Sequence, residues 1–127
     1  MLLDSDIEYL DEKGWRYTLH EQDSVTLLVI HDYELPPGFS ADKVELLIEV
    51  PSTYPDAKLD MFWVRPWVKL VATDADPRAA SQPRDFQGER WQRFSRHPTV
   101  WRPESDSLQT FLVWIRRHLE DDVRVAA

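Results

Sequence analysis

The fold is decided by residues 54–66, which read Tyr-Pro-Asp-Ala-Lys-Leu-Asp-Met-Phe-Trp-Val-Arg-Pro. A proline turn at Tyr54-Pro55 leads into the apolar run Leu59–Val64, and this pattern predicts a strand that enters the core. The counterpart of this stretch is the segment 91–98, Trp-Gln-Arg-Phe-Ser-Arg-His-Pro, which places a hydroxyl, an imidazole and guanidinium groups within a few residues. The first stretch predicts structure, and the second holds the residues from which chemistry is expected.

The composition is that of one ordinary globular domain. The chain has 127 residues, of which 43% are hydrophobic and 30% charged, and a chain of this length buries roughly two-thirds of its unfolded surface. We predict a single domain over residues 1–127. Its apolar runs fall short of the ~20 residues of a membrane span, and Asp4 and Asp6 do not fit a secretory signal. We therefore expect a cytoplasmic protein with no membrane partner.

Residue types that are absent exclude several kinds of chemistry. The chain has no cysteine, which excludes disulfides, thiolate metal sites and a thiol nucleophile. The three glycines stand apart, so no phosphate-binding loop is predicted. The histidines show no metal-ligand spacing. We expect neither a cofactor nor a metal.

The charge is acidic but uneven. A net charge of -8 argues against nucleic-acid binding, because no basic surplus exists to displace the counterions of phosphate groups. Residues 84–102 nevertheless contain five arginines, against only Asp85 and Glu89. This local surplus favours a partner surface. Scattered surface arginines are the equally simple interpretation.

Hydrophobic periodicity predicts a helix at each end of the chain. The stretch from Asp4 to Gly14 has capping oxygens at its start and a glycine at its end. A longer helix is predicted after Asp106 and Gln109, which have capping-box spacing, and we expect the tail from Asp121 onwards to fray. The apolar stripe of this helix consists of Leu108, Phe111, Leu112, Ile115 and Leu119.

Strand patterns fill the chain between these helices. The clearest is Lys43–Val50, where apolar and charged residues alternate. In chain order the predicted strands are Trp15–His20, Val25–Ile30, Lys43–Val50, Leu59–Val64 and, as an optional fifth, Trp67–Ala72. Residues 73–83 lack periodicity and predict a loop. The fold class is therefore α+β, with an N-terminal helix, an antiparallel four-stranded meander, an irregular crossing and a C-terminal helix.

These features resemble the ubiquitin-conjugating-enzyme superfamily with its RWD-like relatives, and especially its bacterial conjugating-enzyme-like group, prokaryotic family E. The motifs that carry the resemblance are Leu35-Pro36-Pro37-Gly38-Phe39, Pro51-Ser52-Thr53-Tyr54-Pro55 before Asp60-Met61-Phe62-Trp63, residues 88–97, and Trp101-Arg102-Pro103. Together they span nearly the whole chain. The resemblance implies a bacterial, cytoplasmic protein whose irregular active-site crossing contains residues 91–98.

The active-site cysteine of that superfamily has no counterpart here. Phe94-Ser95-Arg96-His97 stands where it is expected, and the customary His-Pro-Asn motif is missing. The resemblance implies that a separate adenylating activating enzyme delivers an activated ubiquitin-like protein. Our hypothesis is that Ser95 accepts its C-terminus as an oxyester, with His97 as base or orienter and Arg93 stabilising the oxyanion, because residues two apart in an extended segment point the same way.

The predicted partner contacts lie in two places. Superfamily members commonly bind the activating enzyme through their N-terminal helix, which here presents Ile7 and Leu10. Near Ser95 the predicted contacts are Arg90, Trp91 and Arg96, although tryptophans such as Trp91 also fit a packing role.

Two other interpretations stay open at this stage. Ser95 fits equally a hydrogen-bonded turn residue and His97 a packing residue, in which case the chain is a catalytically inactive conjugating-enzyme-like module that scaffolds the activating enzyme or the ubiquitin-like protein. A hydrolase built on Ser95 and His97 lacks an assignable acid in the sequence.

Overall fold

Two helices flank six strands in the computed structural model, which describes residues 1–127. The helices are α1, Asp4–Lys13, and α2, Leu108–Ala126. The strands are β1, Tyr17–Gln22; β2, Val25–Glu34; β3, Lys43–Val50; β4, Phe62–Arg65; β5, Gln82–Phe86; and β6, Glu89–Phe94. Neither helix combines the length and the apolar composition needed to cross a membrane. The predicted α+β class and both predicted helices are confirmed.

All six strands form one antiparallel sheet in the order β1-β2-β3-β4-β6-β5. The predicted count of four or five strands is therefore wrong. The predicted strand Trp67–Ala72 does not form, and the backbone of Val68 bonds the buried side chain of Gln92 instead of a neighbouring strand. Val68 donates its N–H to Gln92 Oε1 at 2.8 Å, and its carbonyl accepts from Gln92 Nε2 at 3.0 Å.

The largest difference from the prediction is a hairpin in place of an irregular crossing. Strands β5 and β6 join through Gln87 and Gly88, whose φ angles of 49° and 77° suit a two-residue hairpin turn. Pro83 is tolerated in β5 because this strand lies at the edge of the sheet, where a missing N–H breaks no ladder. The predicted hairpin between β1 and β2 is confirmed, with Asp23 and Ser24 as its left-handed turn.

The core lies on the face of the sheet that the two helices cover. Sheet residues such as Ile48, Phe62 and Phe94 pack there against Leu10 of α1 and against α2. The predicted apolar stripe of α2 is buried in full, from Leu108 to Leu119. The opposite face carries a smaller apolar cluster, which we call the second-face cluster; it consists of Leu27, Val29, Leu47, Trp63, Phe86 and Trp91.

The ends of α2 differ from the prediction by small but informative shifts. Ser107 rather than Asp106 caps the helix, and its N–H donates to Thr110 Oγ1 at 2.9 Å. The helix continues to Ala126, so the predicted fraying from Asp121 is wrong. Contacts explain the difference: Val123 packs on the backbone of Gly38 so closely that a Cβ atom there would lie 2.5 Å from Val123 Cγ1.

A buried hydrogen-bond network joins both helices to the Tyr-Pro turn. The hydroxyl of Tyr54 donates to Asp6 Oδ2 at 2.8 Å and accepts from the N–H of Leu108 at 2.8 Å. The same carboxylate oxygen accepts from the N–H of Leu3 at 2.9 Å. One phenol therefore fixes the first turn of α1 relative to the first turn of α2, and burial together with the Asp6 carboxylate raises the pKa of Tyr54.

Candidate functional site

Ser95 lies at the point where β6 ends. The preceding residue, Phe94, is fully buried and stacks on Phe62 with ring centroids 4.6 Å apart. Ser95 then donates its backbone N–H to the carbonyl of Ala79 at 2.9 Å, in the loop before β5. The side chain of Ser95 is half-buried, and its hydroxyl makes no hydrogen bond. The backbone of Ser95 is thus fixed while its hydroxyl has no partner.

The chain turns sharply at Ser95. Arg96 donates its N–H to the carbonyl of Phe94 at 2.9 Å, which closes a three-residue turn centred on Ser95. The segment 93–97 is therefore not extended, and the expectation that Ser95 and His97 point the same way by strand alternation is wrong. The structure contains no hydrogen bond between these two side chains.

His97 pairs with an acidic residue that lies far away in sequence. Its Nδ1 is 2.7 Å from Oδ1 of Asp60, and the two side chains are 52% and 33% exposed. Asp60 precedes β4, which is the direct neighbour of β6, so sheet pairing brings the two residues together. Sequence reasoning missed Asp60, although it lies in the stretch that decides the fold; only the register of β4 on β6 could have indicated it.

Arg96, between Ser95 and His97, points into the protein. Its Nε and Nη2 donate to the carbonyl of Arg78 at 3.1 and 2.7 Å. Its Nη2 also lies 2.8 Å from Asp122 Oδ2, near the end of α2. Burial lowers the pKa of Arg96, and the interaction with Asp122 opposes this effect. Only 3% of Arg96 is exposed, so the structure gives it an anchoring role where an exposed partner contact was predicted.

Arg93 lies on the face of the sheet opposite the helices. It is paired with Trp63 of β4 and Gln82 of β5, and directly paired residues share a face of the sheet. Its Nε is buried without a hydrogen-bond partner. No hydrogen bond joins Arg93 to Ser95 or to His97, so the structure does not assemble the three predicted catalytic residues into one bonded group.

The other predicted partner contacts fall into two groups. Trp91 and Leu10 are buried, at 4% and 0% exposure, and pack in the second-face cluster and the main core. Trp91 therefore packs in the interior, although its buried indole N–H has no hydrogen-bond partner. Arg90 is exposed, with its guanidinium carbon 5.4 Å from the ring centroid of Trp67. Ile7 is half-buried on α1.

The charges behind the site come from α2 and the loop before β5. His118 lies with its ring 4.3 Å from that of Trp114. Burial lowers the pKa of His118, and the positive charges of Arg96 and Arg78 lower it further. The neutral imidazole is therefore favoured beside the anchored guanidinium. No group of three or more His, Asp or Glu side chains is placed to hold a metal ion.

The arrangement of a helix, an antiparallel sheet, a Tyr-Pro turn and a Trp-x-Pro segment before the last helix is compatible with the plan of a conjugating-enzyme-like domain. The chain belongs to prokaryotic E2 family E, whose family model matches residues 2–122. No curated protein and no solved structure matches the chain. The predicted family is confirmed, and the chain is a conjugating-enzyme-like protein that lacks the active-site cysteine.

Proposed function

We propose that this chain accepts an activated ubiquitin-like protein from an adenylating activating enzyme and carries it as an oxyester on Oγ of Ser95. Family membership supports the general activity. The observation that carries the choice of residue is the position of Ser95, which has a fixed backbone and an unbonded, half-exposed hydroxyl at the end of β6. Because the chain has no cysteine, a hydroxyl is the simplest acyl acceptor in this region.

A serine hydroxyl needs assistance to act as a nucleophile. It is weak until a neighbouring base removes its proton, and His97 is the imidazole nearest to Ser95 in the chain. Two residues span at most about 7 Å between Cα atoms, so Ser95 and His97 belong to the same short turn. Arg93 is the proposed stabiliser of the oxyanion, because it carries a fixed positive charge on β6, two residues before Ser95.

The activating enzyme and the ubiquitin-like protein need surfaces on this chain. We propose α1 as the docking element for the activating enzyme. Ile7 is its half-buried apolar contact, and it lies among the exposed acidic residues Asp4, Glu8 and Asp11. Arg90 is the proposed contact to the ubiquitin-like protein, since it is the exposed member of the predicted set.

The test is an adduct assay with matched serine variants. The wild-type chain, incubated with its activating enzyme, ATP and ubiquitin-like protein, is expected to form an adduct that hydroxylamine cleaves. Ser95→Ala is expected to abolish it. Ser105→Ala is the control, because Ser105 is an exposed serine in the loop before α2. An adduct that persists undiminished in Ser95→Ala removes Ser95 from the role.

The second candidate is a catalytically inactive module that scaffolds the activating enzyme or the ubiquitin-like protein. The absence of a hydrogen bond between Ser95 and His97 favours it, since His97 bonds Asp60 instead. On this alternative the wild-type chain forms no adduct but still binds one of the two proteins. Calorimetric titration with each protein, compared with the adduct assay, distinguishes the two candidates.

A further inference from the structure

Asp60 and His97 are brought together by the last connection between β4 and β6. The N–H of Met61 donates to the carbonyl of Arg96 at 3.2 Å, just beyond the paired strands. Asp60 precedes Met61 and His97 follows Arg96, so the two residues lie beside this bond. Their side chains are 2.7 Å apart, from Asp60 Oδ1 to His97 Nδ1. The backbones of the two residues are therefore held next to each other by the end of the β4–β6 pairing.

The pairing determines which nitrogen of His97 carries the proton. A carboxylate only accepts hydrogen bonds, so Nδ1 must be the donor. In the neutral imidazole, Nε2 is then the unprotonated nitrogen. It has no partner in the structure, and half of the side chain is exposed. His97 consequently presents a free base to solvent rather than to the core.

The charged surroundings of the pair are simple. Lys58 Nζ lies 3.9 Å from Asp60 Oδ1 and 3.5 Å from the carbonyl of Pro98. Arg96 points away, towards Asp122. Asp60 and Lys58 also line a recess of about 180 Å³ on the side of Met61. The carboxylate is therefore open to solvent on the side away from the imidazole, and it interacts with one further charge.

Cleavage of a serine ester requires protonation of the leaving oxygen, whereas cleavage of a thioester does not require protonation of the sulfur. A thiol ionises near pKa 8.5, so a thiolate departs readily, whereas a serine oxygen leaves as a strongly basic alkoxide unless it is protonated. Release of an acyl group from Ser95 thus needs one group that first takes a proton and then returns it. A histidine oriented by a carboxylate performs both steps.

We propose that Asp60 and His97 act together in discharge, by transferring a proton from an attacking primary amine to Ser95 Oγ. The inference rests on the proposed oxyester. The neutral amine nitrogen attacks the ester carbonyl and forms the new C–N bond, and its surplus proton passes to His97 Nε2. The C–Oγ bond then breaks, and Nε2 returns the proton to Oγ. The products are an amide and the free Ser95 hydroxyl; Asp60 is the positioning residue.

The experiment follows a purified adduct after removal of the activating enzyme and ATP, with free lysine as the amine. Asp60→Asn is expected to slow discharge about tenfold to a hundredfold. A positioned general base typically contributes about a hundredfold to ten-thousandfold, and we expect an effect no larger than the low end of this range because the pair is half-exposed. The deficit is expected to shrink as pH rises, since hydroxide then takes the proton that a poorly oriented His97 does not. Asp56→Asn, an exposed carboxylate in the same loop, is the control, and Asp60→Glu is expected to restore part of the rate.

The outcomes are distinct. If the wild-type chain forms no Ser95 adduct, both the proposed function and this inference are refuted. If the adduct forms but Asp60→Asn discharges it at the wild-type rate, or loses rate equally at every pH, only the inference is refuted. Nitrogen chemical shifts of His97 give a separate readout: they are expected to report the proton on Nδ1 in the wild type and to change in Asp60→Asn.

Discussion

Replacing Tyr54 by phenylalanine is the sharpest test of how the two helices are held together. The substitution removes only a hydroxyl, so it leaves the ring and its packing in place. Two buried groups lose a partner: the carboxylate of Asp6, which is 2% exposed, and the N–H of Leu108. The carboxylate keeps its bond to the N–H of Leu3, whereas the N–H of Leu108 has no other acceptor in the network.

The expected loss of stability follows from these two bonds. A hydrogen bond to a charged group contributes about 1.5–3 kcal/mol, and a buried N–H left without an acceptor costs about 1–3 kcal/mol. Some relaxation at the start of α2 offsets part of the sum, so we expect a decrease of about 3 kcal/mol in the free energy of unfolding. For a domain of this size that corresponds to a fall in Tm of about 10 °C.

The measurement is thermal and urea unfolding of Tyr54→Phe beside Tyr17→Phe. Tyr17 is half-buried at the start of β1, and its hydroxyl makes no hydrogen bond, so its loss is expected to change stability by less than about 0.5 kcal/mol. If the two variants unfold alike, the network does not connect the helices energetically, and the reasoning is wrong.

Two further predictions concern α2. Gly38→Ala is expected to destabilise the protein by about 3 kcal/mol in urea unfolding, because the φ of 117° is strained for alanine and its Cβ meets Val123; adding Val123→Ala should recover the steric part only, and full recovery would contradict the strain. His118→Gln is expected to flatten the pH dependence of Tm below pH 6.5. The folded state lowers the pKa of His118, so the unfolded chain binds a proton first as the pH decreases. The stability of the wild type therefore decreases as the pH is lowered. Equal slopes in the two proteins would contradict it.

The parts of the fold that follow local rules could be predicted from the sequence. Strand β3 shows a period of two, and α2 shows a continuous apolar stripe; both were predicted at the correct place. Strand β5 could not be predicted, because an edge strand with exposed Gln82 and Asp85 buries too little to leave an apolar pattern. The apolar run Trp67–Ala72 has a strand-like pattern but forms no strand, since the backbone of Val68 bonds the Gln92 side chain and that of Val71 bonds Gly38.

The candidate site was predictable in location but not in contacts. Position along the chain indicated Ser95 and His97, and the structure leaves both side chains accessible in part. The partner of His97 could not be predicted, because Asp60 is connected to it through strand register rather than through spacing. The burial of Arg96 was equally hidden, since a single arginine in an arginine-rich segment gives no sign of facing the core.

The burial of Arg96 also affects the order in which parts of the protein fold during synthesis. Synthesis proceeds from the N-terminus, so Arg96 leaves the ribosome before Asp122, its counter-ion at the end of α2. A buried guanidinium without its counter-ion is destabilising by about 3–5 kcal/mol. The turn that carries Ser95 and His97 therefore reaches its final form only once α2 has docked. A partly synthesised chain would present a sheet without a finished site.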